Sequence, residues 1–153
     1  MNTSFLRPAR LRWVVAFALM MMFALPSVYA AEMKLEAQLI WGTNDEKSPD
    51  PSHKQVDREV EKKLRHLPFR WKNYFEVTRK TLNVDKDASE KITLSKECDL
   101  EVKNLGNNQL EVSLYGKGKL VSRIKQKLPE GELLVTGGNA ENTTAWFVVL
   151  RQM

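Results

Sequence analysis

The chain has 153 residues, 28% of them charged and 42% hydrophobic, with a formal net charge of +5 and one cysteine. A single cysteine excludes an intramolecular disulfide, so the fold must be held by apolar burial. The positive balance would point to nucleic acid or an acidic surface only if the cations belonged to the folded part, and the chain order places three of them elsewhere.

Residues 1–30 have the three-part form of a secretory signal peptide. Arg7, Arg10 and Arg12 make a positive start, Trp13 to Leu25 is apolar, Pro26 breaks that run, and Val28-Tyr29-Ala30 carries small residues at the cleavage positions. The apolar run is shorter than the ~20 residues a spanning helix needs. Export is therefore expected, with cleavage near Ala30 and a periplasmic or extracellular destination. No stable membrane insertion is expected after cleavage. Removing Arg7, Arg10 and Arg12 leaves 21 basic residues against 19 acids, a balance of +2, which supplies no dense phosphate-neutralising surface. A nucleic-acid partner is not expected. Residues 31–153 are sized for a single β-rich domain.

Met33 to Trp41 alternates, with Met33, Leu35, Ala37, Leu39 and Trp41 on one side, and predicts a half-buried first strand. Gly42 to Gln55 is rich in Asn, Asp, Ser and Pro and reads as a long loop of the kind that often carries function. Residues 57–67 form the one amphipathic helix. Val56, Val60, Leu64 and Leu67 make an apolar stripe, Asp57 is placed to cap, and Pro68 ends the run. Phe69 to Val77 alternates again, with Trp71 and Phe75 expected on one face, Tyr74 on the other, and a bulge near Arg79.

Leu100 and Val102, then Leu110, Val112 and Leu114, then Leu120 and Ile124 mark successive hairpin strands. Matching their parities requires odd loops. Gly106-Asn107-Asn108 and Gly116-Lys117-Gly118 each offer three residues. That register sets Lys103 opposite Glu111, Glu111 opposite Arg123, and Leu114 opposite Leu120. Leu128 to Gly131 turns the chain into a strand at Leu133 to Thr136. Thr144 to Leu150 contains an unbroken apolar run, rich in β-branched and aromatic residues and too short for a helix. It predicts an interior strand covered on both faces. The fold expected is mainly β, an antiparallel β-sandwich or open barrel of about 7–9 strands with the one helix.

The sequence has no phosphate-binding glycine loop, no metal-ligand spacing and no nucleophile–histidine–acid pattern. Cys98 heads an alternating segment and reads as a buried thiol, with neither His53 nor His66 spaced to activate it. No catalytic residue, metal or cofactor is expected. The foremost reading is a non-catalytic exported module that binds another envelope or secreted protein through a sheet edge or its long loops. An alternative is a small-ligand or carbohydrate-binding module. Its stacking surfaces would be Trp41, Trp71 or Tyr74, and the candidate binding residues are Trp41, Asn44, Asp45 and Tyr74. A third reading, a hydrolase, would need two carboxylates distant in the chain to converge.

Intact-mass measurement of the exported protein should give a chain that starts at Ala31. A species retaining Met1 would make residues 1–30 an anchor instead of a leader.

Overall fold

The computed structural model describes residues 32–68, 71–140 and 144–153. The expected leader lies outside the described residues, as does Phe69. Two antiparallel sheets pack face to face as a β-sandwich. Nine strands run in chain order: β1 (Met33–Thr43), β2 (Lys54–Gln55), β3 (Asn73–Val84), β4 (Ser89–Ser95), β5 (Cys98–Gly106), β6 (Gln109–Gly116), β7 (Lys119–Lys127), β8 (Leu133–Asn139) and β9 (Ala145–Gln152). The helix α1 (Arg58–His66) lies between β2 and β3. The larger sheet has the order β2-β3-β1-β9-β8 and the smaller β4-β5-β6-β7.

Adjacent residues of β9 enter different layers because successive side chains point to opposite faces. Val148 and Leu150 join Leu35, Leu39, Leu100, Val112 and Leu114 in the core between the sheets. Phe147 and Val149 join Ile40, Tyr74, Val60 and Leu64 in a second cluster under α1. Two apolar layers on one strand are what the unbroken run in the sequence encodes.

The helix forms where its residues can be both capped and buried. The Asp57 carboxylate accepts the Val60 N–H at 2.9 Å, acids Glu59 and Glu61 sit in the first turn, and Lys63, Arg65 and His66 in the last. Leu67, held extended by the following proline, closes the end by donating its N–H to the Leu64 carbonyl at 3.2 Å. Val60 and Leu64 are fully buried. Side chains of this kind each contribute roughly 1.5–3 kcal/mol when taken from water.

Several expectations are corrected. β1 is not half-buried: Ala37, Gln38, Leu39 and Ile40 are all buried, because α1 and the Tyr74 and Phe147 rings cover the face that faced solvent in the simple alternation. The bulge in β3 falls at Val77, since Leu39 pairs with Thr78 and Ile40 with Glu76. Trp71 precedes β3 and packs with the helix-side cluster, on the opposite face from Phe75.

Both hairpins use two-residue turns plus a bulge where three-residue loops were expected. Asn107 and Asn108 have φ of 52° and 59°, and Lys117 and Gly118 φ of 50° and 75°, the left-handed pairs that match the strand twist. The bulges fall at Leu105 and Val121. Lys103 does face Glu111, but Glu111 faces Lys125 and Arg123 faces Ser113. Leu114 faces Ser122, and Leu120 is 50% exposed. Beyond Leu128 the chain crosses to the other sheet, so Leu128 and Leu133 are not hairpin partners.

Phe147→Ala is expected to cost ~3–5 kcal/mol, and Val148→Ala less but well above the ~0.5 kcal/mol of a surface change. Ending the chain at Thr144 removes the strand between β1 and β8 and should abolish the cooperative transition. Denaturant midpoints and a thermal scan measure all three, and a neutral Phe147 or Val148 variant would contradict the two-layer packing.

Candidate functional site

Three features of the described surface carry chemistry: a cleft between the sheets, a charged latch under the helix, and a free edge strand.

The cleft lies where β1 and β9 leave the sandwich core. Trp41 and Trp146 are cross-strand partners on the face turned toward the smaller sheet. With Leu39 and Val77 they form one wall of a cavity of ≈ 660 Å³. Cys98 and Gly116, themselves cross-strand partners, form the opposite wall, and His53, Glu97 and Lys117 also line the space. At Gly116 the two walls meet, because the missing side chain lets the Trp146 ring come close to β6. A Cβ at Gly116 would lie 3.7 Å from Trp146 Cζ2 and 3.0 Å from Val121 Cγ2. The Trp41 indole Nε1–H has no hydrogen-bond partner among the described residues, and the atom is itself buried, so the ring and not its N–H faces the cleft.

His53 is fixed by the loop expected to be functional. Its Nδ1 lies 2.6 Å from Ser48 Oγ, and its Nε2 is 3.8 Å from the Asp50 carboxylate. Ser52 donates to that carboxylate from both its hydroxyl and its backbone N–H, and these bonds hold the Asp50 pKa below the usual carboxylate value. The loop is thus tied by short-range polar contacts.

The four residues expected from the sequence to bind are not brought together on one surface. Trp41 lines the cleft. Tyr74 is buried on the other face of the same sheet, its ring centroid 6.1 Å from that of Phe147, and burial pushes its pKa up. Asn44 and Asp45 lie in the exposed loop. There Asp45 accepts at its backbone carbonyl from Asn73 Nδ2 at 2.8 Å and donates its N–H to Thr43 Oγ1 at 3.1 Å. Sequence reasoning missed Trp146 as Trp41's partner, because their pairing depends on the β1–β9 register, which no local pattern records.

Carboxylates distant in the chain do converge, but around arginines. Arg79 bridges Glu76 at 2.6 Å, Glu36 at 3.2 Å and Asp57 at 3.5 Å, and Arg151 meets Glu59 at 2.9 Å. The Glu76 carboxylate, helped by Glu36, raises the Arg79 pKa further and keeps it charged. This network ties the start of α1 to the sheet. Among the described residues no group of three or more His, Cys, Asp or Glu side chains is placed to hold a metal ion, and no helix is long and apolar enough to cross a membrane.

Of the four strands that end the two sheets, β7, the last of the smaller sheet, is the longest. Seven of its nine residues are exposed, including Leu120 and Val121 at 50% and 47%. Lys119, Arg123, Lys125 and Lys127 stand along it with no acid of its own. Lys125 is paired with Glu111 on β6 at 3.0 Å, and Arg123 Nε donates to Ser113 Oγ at 2.9 Å.

No protein-family model, curated protein or solved structure matches this chain.

Burial, with a smaller push from the Asp99 carboxylate, raises the Cys98 thiol to about 11 from the ordinary 9.0. The native thiol should be inert toward a disulfide reagent at pH 8 and react once in denaturant. The unfolded chain loses this proton near pH 9 while the folded one retains it to about 11. Cys98 therefore favours the folded state below pH 9, and that preference is lost as pH rises through the interval. Denaturation at pH 8 and pH 11 should show a larger stability loss in the parent chain than in Cys98→Ala. Equal losses would argue against a raised thiol.

Proposed function

We propose that this chain is an exported, non-catalytic module that binds another envelope or secreted protein along β7. The observation that carries the reading is the unpaired nine-residue edge with two adjacent exposed apolar side chains, Leu120 and Val121. An edge strand offers its outward N–H and C=O groups to an incoming strand, and side-chain contacts then give selectivity. The cations on β7 suit an extended acidic segment as the added strand. They also oppose pairing of two copies through the same edge, which would set Lys119, Arg123, Lys125 and Lys127 against their own kind.

The test compares the exported parent protein with a Leu120→Lys, Val121→Lys double variant as baits in envelope extract. Both positions are exposed, so the thermal transition should be nearly unchanged. A discrete acidic partner should be retained by the parent and lost by the variant. Retention of the same partner by a folded variant would place the contact elsewhere.

A further inference from the structure

We infer that β7 selects a short strand with an acid at every second position, in the order acid, any residue, acid, apolar residue, acid, added antiparallel along Arg123 to Lys127. The inference rests on the reading of β7 as the binding edge and specifies what that edge recognises.

The phase of the main chain carries it. In an antiparallel pair, residues that exchange N–H···O bonds with the neighbour alternate with residues whose main-chain groups point away from it. Leu128 donates its N–H to the Asn108 carbonyl at 2.8 Å, one step beyond the Gln109–Lys127 pair in the same register. Counting back by twos, Gln126 and Ile124 turn their main-chain groups to Leu110 and Val112. Arg123, Lys125 and Lys127 therefore direct theirs outward, where a further strand would lie.

The side chains follow the same phase. Leu110 and Val112 are buried between the sheets, so Gln126 and Ile124 opposite them lie on the inner face, and Ile124 packs against that core. Arg123, Lys125 and Lys127 lie on the outer face and are exposed. The residues with outward main-chain groups are thus the three cations. Glu111 is the one acid of β6, and it pairs with Lys125 at 3.0 Å, so three cations stand against a single carboxylate. The bulge at Val121 interrupts the ladder, and the regular edge runs from Arg123 to Lys127.

The strand pairs of both sheets are antiparallel, the slightly more stable arrangement, and the added strand continues them. Its residues opposite Arg123, Lys125 and Lys127 exchange main-chain bonds with them and set their side chains beside the cations. An acid at each such position makes a row of opposite-charge pairs. The residues between point inward, and the one opposite Ile124 meets the rim of the core, where an apolar side chain is favoured. An acidic segment without this alternation would turn a carboxylate toward Ile124.

The experiment first records amide hydrogen exchange in the full exported protein by nitrogen–proton correlation spectra. Amides of Arg123, Lys125 and Lys127 should exchange at least about tenfold faster than those of Ile124, Gln126 and Leu128. Two peptides of one composition are then titrated. Acetyl-Ser-Glu-Thr-Glu-Val-Glu-Ser-amide has acids at alternate positions, and acetyl-Glu-Ser-Thr-Glu-Val-Ser-Glu-amide has them at every third. The first should bind saturably, at least about fivefold more tightly than the second, and should slow exchange at the three outward amides. N-methylation of its central Glu blocks an N–H that faces β7 and should abolish binding. N-methylation of its Val, whose N–H points away, should leave the affinity within about twofold.

Fast exchange at the three amides with no saturable binding of the first peptide would overturn this inference and leave the edge reading to the extract experiment. Equal affinity of the two peptides, or equal effects of the two methyl groups, would do the same. Slow exchange at those amides in the free protein would show β7 already paired, by a second copy or by another segment of the chain, and would overturn both.

Discussion

The requirement that the larger sheet be covered on both faces governs this structure. β1 and β9 carry apolar side chains at consecutive positions, so one sandwich layer cannot bury them all. The smaller sheet covers Leu39, Val148 and Leu150, leaving Ile40, Phe147 and Val149 to find a second cover. With Val60 and Leu64, α1 supplies it, assisted by Tyr74 and the partly buried Trp71. A nine-residue helix is too short to be stable alone, so its packing and its cap must hold it. The arginines at Arg79 and Arg151 then have a structural reason: they fix Asp57 and Glu59, at the start of the helix, to the sheet that needs covering. Glu36 and Glu76 are mostly buried, so removing Arg79 would leave two carboxylates with little water and no common counter-charge.

The smaller sheet obeys a different rule. Its inner face is apolar, while its outer face meets solvent through a connected set of polar pairs. Lys91 bonds Asp99 at 3.2 Å, Tyr115 donates to Glu101 at 3.0 Å, and Lys125 pairs with Glu111. The two sheets are also joined by a buried polar side chain. Asn104, 1% exposed, donates to the Val84 carbonyl at 2.9 Å and accepts the Gly106 N–H at 2.9 Å. Its side chain thus connects the end of β3 to the turn between β5 and β6, at the end of β1 where Met33 pairs with Val84 rather than at the Trp41 end. The sandwich is pinned at one end and open at the other.

Periodicity was enough to read the class of fold, the helix with its cap, and the double burial of β9, because each is written in neighbouring residues. The unbroken Ala145–Leu150 run needs no partner to be recognised. Registers were less legible. Parity alone cannot separate a three-residue loop from a two-residue turn followed by a bulge, since both bring even residues opposite even ones. The expected Lys103–Glu111 pairing survives on that account, while the Glu111–Arg123 pairing slips by two residues to Glu111–Lys125. Alternation likewise placed Tyr74 on an open face, because the sequence does not say which face the helix will occupy. The candidate cleft was half visible. Trp41 stood out as an aromatic beside a polar loop, but the paired Trp146 and the missing side chain at Gly116 acquire meaning only once strands distant in the chain are side by side.

Gly116 links the bulge at Val121 on the edge strand to the face that Trp146 covers. A regular β7 would continue the pairing of Tyr115 with Leu120 by setting Val121 opposite Leu114. The extra residue instead lets Ser122 take that place and leaves Val121 out of register. Its Cγ2 occupies the space beside Gly116 that a Cβ would need, 3.0 Å from the position such an atom would take. Gly116 therefore serves two ends. Its lack of a side chain admits the bulged valine on the edge, and it lets the Trp146 ring come close to β6. A side chain at 116 would have to displace Val121 or press toward Trp146, so the shape of the edge and the shape of the cleft cannot be altered independently at this position. Bulges bend the strand that carries them and re-aim its side chains, and here the bend sets Val121 beside Gly116 and, through it, beside Trp146.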